Sequence, residues 1–408
     1  MKTNIIKQLV SAVIVILCCH PSYTQVAEKI EMTQDWQLLG LGKQHILKSN
    51  ILQEERPIII SLPLGYKDTD ATYPVLYVLD GLQNIKHTVG TVELLTESGL
   101  ISPLIIVGIE SLDRTKDLTP SKAGQNVHGG VGNAGIPQSG GAPKFLEFLG
   151  EELIPFMDTN YRTHPYRILE GHSLGGLFSV FTLMGRPNLF DAFIVEAPEL
   201  WWNKEEMTEK GKSFFKSTKN LEKTIYFGIG GGDGWGMRQE LIRYVEVIEK
   251  HPPKNFRWKH EEAGDEGHMA SRLLLNYNGL RFLFSDLKLE EALKDNFNDT
   301  DFLSAEEQLK NKYGKRVRRP AEDYMDLVSE LVDKGNELGA ITVLKRASGA
   351  YPMYIGLLTY LARLYEKTGQ KEKAIATYLQ GVEVSKKYKQ GQEKDLMVEI
   401  RRLRETNK

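Results

Sequence analysis

The stretch 168-ILEGHSLGGLFSV-180 sets a serine among glycines, after an apolar run and ahead of a helical pattern. Its spacing, Gly171-His172-Ser173-Leu174-Gly175, is G-x-S-x-G, in which a sharp strand-to-helix turn lifts a serine hydroxyl into the open. Such a turn also arises by chance in a chain with 37 glycines. The serine therefore needs companions in the right order before it can be read as a nucleophile.

The surroundings supply the scaffold. Short β-branched runs, "RPIIISLPL", "YPVLYVLD", "LIIVGIE", "YRILEG", "FDAFIVEA", "KTIYFGIG" and "FRWKHEE", alternate with amphipathic stretches such as "APKFLEFLGEELIPFMDTNY" and "MRQELIRYVEVIEK". Alternation of this kind predicts an α/β domain whose mostly parallel sheet is covered by helices on both faces. With 408 residues and a net charge of −2, the chain is long enough for one large core and a smaller second unit. A balance so near zero gives no reason to expect nucleic acid or an anionic surface as partner.

At the N-terminus, Lys2 and Lys7 precede the apolar run "LVSAVIVILCC" and the polar exit "HPSYTQ". That order is a secretory signal peptide, expected over 1–25, and the run is too short to span a bilayer, which takes about 20 apolar residues. Both cysteines, Cys18 and Cys19, fall inside it, so the mature chain is expected to lack disulfides and thiols. The expected location is secreted or periplasmic. A lipid anchor on Cys18 or Cys19 is disfavoured by the bulky Leu17 before it.

Chain order then tests the serine. On such a sheet the triad runs nucleophile, acid, histidine, each in a loop at the carboxyl end of a strand. Three histidines follow Ser173: His251 at a helix end, His260 within a strand, and His268 in the loop "AGDEGHMAS". His268 is the best placed base. Between them, the strand "TIYFGIG" ends in "GGGDGWG", which delivers Asp233 as the acid, with Glu196 at the end of the preceding strand as its alternative. Oxyanion donors are expected from the backbone N–H of Leu174 and from the "LDGLQ" turn, at Gly81 or Leu82.

Other chemistries fit less well. A metal reading of "HEEAGDEGH", with His260, Glu262, Asp265 and His268 as ligands, lacks a compact zinc spacing such as H-E-x-x-H. The segment "GIGGGDG" has aspartate where the third glycine of the dinucleotide fingerprint belongs. Neither a metal nor an organic cofactor is expected. Trp201, Trp202 and Trp235 could offer flat apolar contacts to a substrate, or fill the core as tryptophan more commonly does. The glycine-rich segment 126–138 reads as a loop bordering the pocket, either a lid or an uninvolved surface loop.

Beyond residue 290 the pattern turns wholly helical. At a period of 34 residues, Leu327 aligns with Leu361, Leu331 with Tyr365, Gly335 with Gly369, Ala340 with Ala374, Leu344 with Tyr378 and Ala347 with Gly381. This looks like a pair of tetratricopeptide repeats closed by "EKDLMVEIRRLRE". The expected division is 26–288 for the hydrolase domain, 289–320 for a linker and 321–408 for the repeats, which could bind a protein partner or serve only stability.

The segments "YPVLYVLDG", "VGIESLDRTKDLTP", "GGAPKFLEFLGEELIPFMDTNYRT", "RILEGHSLGGLFSVFTLMGRPNLFDAFIVEAPELWW" and "GDEGHMAS" resemble, in order and spacing, a bacterial esterase family of α/β-hydrolases. Siderophore esterases of the enterobactin-hydrolysing type, feruloyl and other carbohydrate esterases, and S-formylglutathione hydrolase belong to it. The resemblance covers about residues 45–285. It implies an α/β-hydrolase fold and a serine carboxylesterase with Ser173, Asp233 and His268 in the three roles, acting on a small-molecule ester through an acyl-enzyme. One departure is "EAPELWW" in place of the family's "SPSLWW", which brings Glu196 and Glu199 near the site. The contrasting reading is a catalytically inactive scaffold that presents the helical repeats.

Overall fold

The computed structural model describes residues 41–122, 138–234 and 236–405. Eight strands form one sheet: β1 (Lys43–Ser49), β2 (Glu54–Ser61), β3 (Tyr73–Leu79), β4 (Ile105–Ile109), β5 (Thr163–His172), β6 (Ala192–Glu196), β7 (Asn220–Gly230) and β8 (Lys254–Ala263). Their order is β1-β2-β4-β3-β5-β6-β7-β8. β1 and β2 run antiparallel to their neighbours, and every pairing from β4 through β3 to β8 is parallel. All seven residues of β3, YPVLYVL, are buried, the continuous apolar run of a strand covered on both faces. β1 lies at the edge with mostly exposed or half-buried side chains, so its pattern carries little hydrophobic signal, and it was not among the expected strands.

Helices cover both faces: α1 (Gly81–Glu97), α2 (Arg114–Leu118), α3 (Ala142–Phe148), α4 (Ile154–Asn160), α5 (Leu174–Gly185), α6 (Trp202–Ser217), α7 (Met237–Lys250) and α8 (Ser271–Leu283). One core joins Val75, Tyr77 and Leu79 of β3 to Phe145, Phe148, Phe178 and Tyr244. The opposite face joins Leu76 and Val78 to Ile85, Val89, Leu275 and Leu280 of α1 and α8. Alternate residues of one strand thus feed two cores. Each fully buried Val, Leu or Phe contributes roughly 1.5–3 kcal/mol relative to exposure, which fixes the strand in register.

The chain crosses from β3 to β4 on one side and then returns to β5 on the other. Such a reversal opens a crevice at the carboxyl ends of the parallel strands, where ligands of open α/β sheets bind. Ser173 after β5, Ala197 after β6, Asp233 after β7 and His268 after β8 all follow that end of the sheet.

The C-terminal region is helical: α9 (Glu291–Asp295), α10 (Asp299–Tyr313), α11 (Ala321–Asp333), α12 (Glu337–Ala350), α13 (Ile355–Lys367), α14 (Lys371–Tyr388) and α15 (Glu393–Glu405). The repeat positions Leu327, Leu331, Ala340, Leu344, Ala347, Leu361, Tyr365, Ala374 and Tyr378 are all buried. The two hairpin turns match in detail. Asn336 N–H donates to Leu331 O and Gln370 N–H to Tyr365 O, each at 2.7 Å, while Gly335 and Gly369 take left-handed φ of 74° and 72°. Among the described residues no helix is long and apolar enough to cross a membrane.

Residues 289–320, expected as a linker, hold a packed helix instead. Phe302 of α10 lies in the helical-region core, whereas Leu309 and Tyr313 of the same helix lie in the core beneath the sheet. Tyr313 meets Tyr166 of β5 edge-on at 4.9 Å. Arg319 Nε donates to Oε1 of the buried Glu306 at 2.6 Å, while Arg346 Nε and Tyr324 Oη both donate to its Oε2, the tyrosine at 2.9 Å. Charged residues gave this segment a linker-like composition, yet their charges are consumed inside.

Candidate active site

Ser173 joins β5 to α5 with φ 63° and ψ −117°, outside the favoured regions for a residue with a side chain, a strain of about 1–3 kcal/mol. Positions 171 and 176 around it have no room for a side chain. A Cβ on Gly171 would lie 2.3 Å from Gly175 O, and one on Gly176 would lie 2.9 Å from Glu196 O. Ser173 N–H donates to Glu196 O at 2.9 Å, and Ser173 O accepts from Leu177 and Glu199 N–H at 3.0 and 3.2 Å, which hold the turn.

His268 and Asp233 meet across two laced loops. Gly231 N–H donates to Gly264 O at 3.0 Å and Gly232 N–H to Glu266 O at 3.1 Å. That lacing sets His268 Nδ1 2.9 Å from Asp233 Oδ2, with the Asp233 side chain almost wholly buried and that of His268 30% exposed. A buried carboxylate on Nδ1 fixes the tautomer that leaves Nε2 as a proton acceptor. Glu196, the alternative acid, stands elsewhere: it is buried, its Oε1 has no hydrogen-bond partner, and burial with the nearby Glu170 charge raises its pKa. His260 lies along β8 and His251 caps α7, away from this pairing.

The serine hydroxyl itself is engaged by a different carboxylate. Ser173 Oγ donates to Glu199 Oε1 at 2.6 Å, and no hydrogen bond joins it to His268 among the described residues. One expected oxyanion donor is similarly occupied: Leu82 N–H donates to Glu110 Oε2 at 2.9 Å. Leu174 opens α5 at the positive end of its backbone dipole, and Gly81 opens α1.

Trp202 is a core residue: it is 2% exposed, and its indole N–H donates to Ser121 O at 3.2 Å, so it offers no face to a ligand. Trp201 is half-buried beside it, with ring centroids 5.7 Å apart. Trp235, residues 1–25, expected as a signal peptide, and 126–137 of the glycine-rich segment lie outside the described residues. Of the metal reading, His268 turns to Asp233 and Glu262 pairs with Arg238.

Three supporting groups gave no sequence signal. Asp80, left-handed at φ 52°, holds Arg114 through both carboxylate oxygens at 3.0 and 2.9 Å. Arg114 Nη2 also donates to His172 O at 2.9 Å, tying the ends of β3 and β5 together. His172 Nε2 donates to His268 O at 2.9 Å; burial, with the His268 charge second, pushes its pKa down to about 3, so it stays neutral. Beneath them, burial raises Glu170 to about 7, opposed by Asn276 Nδ2, which donates to both its oxygens at 3.0 Å. His172 was visible inside the motif, but a buried neutral histidine and an exposed base share one letter.

A mostly parallel sheet with helices on both faces and a strained serine at its carboxyl edge defines an α/β-hydrolase-like protein. The chain belongs to the family described as "Putative esterase", whose model matches residues 49–272, and it is an esterase. It is 28% identical over 229 residues to ferri-bacillibactin esterase BesA of Bacillus subtilis, covering 52% of this chain and 79% of that protein. It is 28% identical over 177 residues to the siderophore triacetylfusarinine C esterase of Aspergillus fumigatus, covering 40% of this chain and 57% of that protein. The crystal structure of an IroE-like serine hydrolase from Shewanella oneidensis shares its fold with a TM-score of 0.62 at 24% identity, covering 76% of this chain and 99% of that one.

Proposed function

We propose that the protein hydrolyses siderophore-type esters through a covalent acyl-enzyme, with Ser173 as nucleophile, His268 as general base and Asp233 as the carboxylate that orients it. The observation that carries this reading is the 2.9 Å contact between Asp233 and His268, in loops following the same sheet edge as a serine held at φ 63°. The names of the two curated relatives, both siderophore esterases, support the substrate class.

In the reaction the Ser173 hydroxyl leaves Glu199 and turns to His268, which takes its proton as Oγ attacks the ester carbonyl. Negative charge develops on the carbonyl oxygen, opposite the Leu174 N–H and either the Gly81 N–H or the Leu82 N–H once Glu110 has let it go. The imidazolium, steadied by Asp233, protonates the departing alcohol. Water then enters and gives a proton to His268 as its oxygen attacks the acyl carbon; the carbon–Oγ bond breaks, His268 returns the proton to Ser173 Oγ, and the acid leaves. Trp201 remains a candidate apolar contact for the acyl or alcohol group. We propose further that 1–25 is a secretory leader and that the helical hairpins are tetratricopeptide-like.

The test is product analysis. The mature protein, 26–408, is incubated with cyclic triester siderophores of both chelate types, a ferric tris-hydroxamate and a ferric tris-catecholate, and with a feruloyl sugar ester, beside Ser173→Ala. Ring-opened siderophore from wild type alone supports the proposal, whereas turnover confined to the feruloyl ester overturns the substrate class.

A further inference from the structure

The nucleophile and one expected oxyanion donor are both held by the chain's own carboxylates, Glu199 on Ser173 Oγ at 2.6 Å and Glu110 on Leu82 N–H at 2.9 Å. Three acids near the site have ionic or histidine partners: Asp80 has Arg114, Asp117 has Arg56 and Asp233 has His268. Glu199 has none of these; among the described residues its side-chain contact is the serine hydroxyl itself. It is half-buried, so its charge is only partly screened by water.

An ester bound for attack places its carbonyl carbon against Ser173 Oγ and therefore within a few ångströms of the Glu199 carboxylate. A substrate anion beside the scissile bond would meet that charge at close range. A neutral group escapes this penalty, and a cationic group draws Glu199 toward itself and off the serine. We infer that Glu199 is a specificity-determining residue that rejects esters carrying negative charge beside the scissile bond and favours neutral or cationic ones. The inference rests on the reading of Ser173 as nucleophile. Among siderophore-type esters the same preference favours a neutral ferric tris-hydroxamate over a trianionic ferric tris-catecholate.

The test reads the nucleophile directly and so does not depend on acyl preference. Three 4-nitrophenyl methylphosphonates differ only in the end of one alkoxy chain: trimethylammonium, its neutral tert-butyl isostere, or carboxylate. Each reacts by forming a Ser173 Oγ–P bond and expelling 4-nitrophenolate, read by absorbance, with the modified residue located by mass spectrometry. Wild type is compared with Glu199→Gln, which keeps the size and an acceptor for the hydroxyl, and with Glu199→Ser. Because each protein is judged by the ratio of its own rate constants, a loss of folded fraction cancels.

Wild type is expected to react about tenfold or more faster with the neutral and cationic probes than with the anionic one. In both variants the spread is expected to shrink to about threefold or less. Labelling of Ser173 with the same ratios in all three proteins would overturn the charge selection while leaving the nucleophile intact. Failure of every probe to label Ser173 in wild type and variants would overturn the nucleophile and the inference with it.

Discussion

Nε2 of His172, the residue just before the serine, donates to the main-chain carbonyl of His268 at 2.9 Å, and the two rings lie 4.5 Å apart. Ser271 Oγ donates to the same carbonyl at 3.1 Å. The proposed base is thereby anchored to the nucleophile's own turn. His172→Phe removes that donor and is expected to lower kcat by about tenfold, with His172→Gln retaining more of it. Burial holds His172 neutral to about pH 3, below the ordinary histidine value of 6.5. Its contribution to stability is therefore complete above pH 6.5 and is lost as pH falls toward 3, because the unfolded chain takes up the proton first. Thermal unfolding of wild type and His172→Gln between pH 8 and about pH 4 checks the sign. Wild type should lose more Tm than the variant over that range.

Glu170 works in the opposite direction. Burial raises it to about 7 from an ordinary 4.5, so its neutral form is the one the fold prefers. Its contribution is complete below pH 4.5 and is lost as pH rises through 7. Glu170→Gln, which keeps an acceptor for Asn276 Nδ2, should gain Tm relative to wild type as pH rises from 5 to about 8. A gap between the two proteins that stays constant with pH would contradict this.

Asp233→Asn leaves a side chain of the same size on His268 Nδ1 but removes the charge and favours the wrong tautomer. The expected loss in kcat is about 10²- to 10⁴-fold, with KM little changed. Glu196→Gln, by contrast, lacks contact with His268 and should stay within about threefold of wild type in kcat. Steady-state kinetics on a simple ester compares the two.

Tyr313 pins the helical region to the sheet through Tyr166, and Tyr313 Oη also donates to Asp286 Oδ1 at 2.9 Å. Tyr313→Ala should cost about 3–5 kcal/mol by denaturant unfolding. Removal of residues 289–408 should destabilise further, since Leu309, Tyr313 and Val317 complete the core beneath β5. An unfolding midpoint unchanged by the truncation would mean the two parts are energetically independent.

Much of this architecture was legible in the residues. Alternating β-branched runs announce the sheet from β2 to β8, and the 34-residue period announces the two hairpins around Gly335 and Gly369. Chain order brings Ser173, Asp233 and His268 to one end of the sheet, because successive parallel strands all finish there. What composition conceals is how charge is used once buried. Glu306, Arg319 and Arg346 carry no pattern that marks them as buried, yet they lock the segment expected to be a linker. Arg114 and Asp80 look like loop punctuation but join two strand ends. Departure from the family's "SPSLWW" drew attention to Glu199, but only geometry gives it the serine as partner.

The central claim is that Ser173 carries the hydrolysis, and the most direct test is turnover of 4-nitrophenyl butyrate by wild type and Ser173→Ala, each as residues 26–408, under the same conditions. The account predicts measurable turnover in wild type and a fall of about 10⁴- to 10⁶-fold in the variant, with a butyryl adduct on Ser173 seen by intact mass on rapid quenching. Equal turnover by the two proteins would place the nucleophile elsewhere and contradict the account.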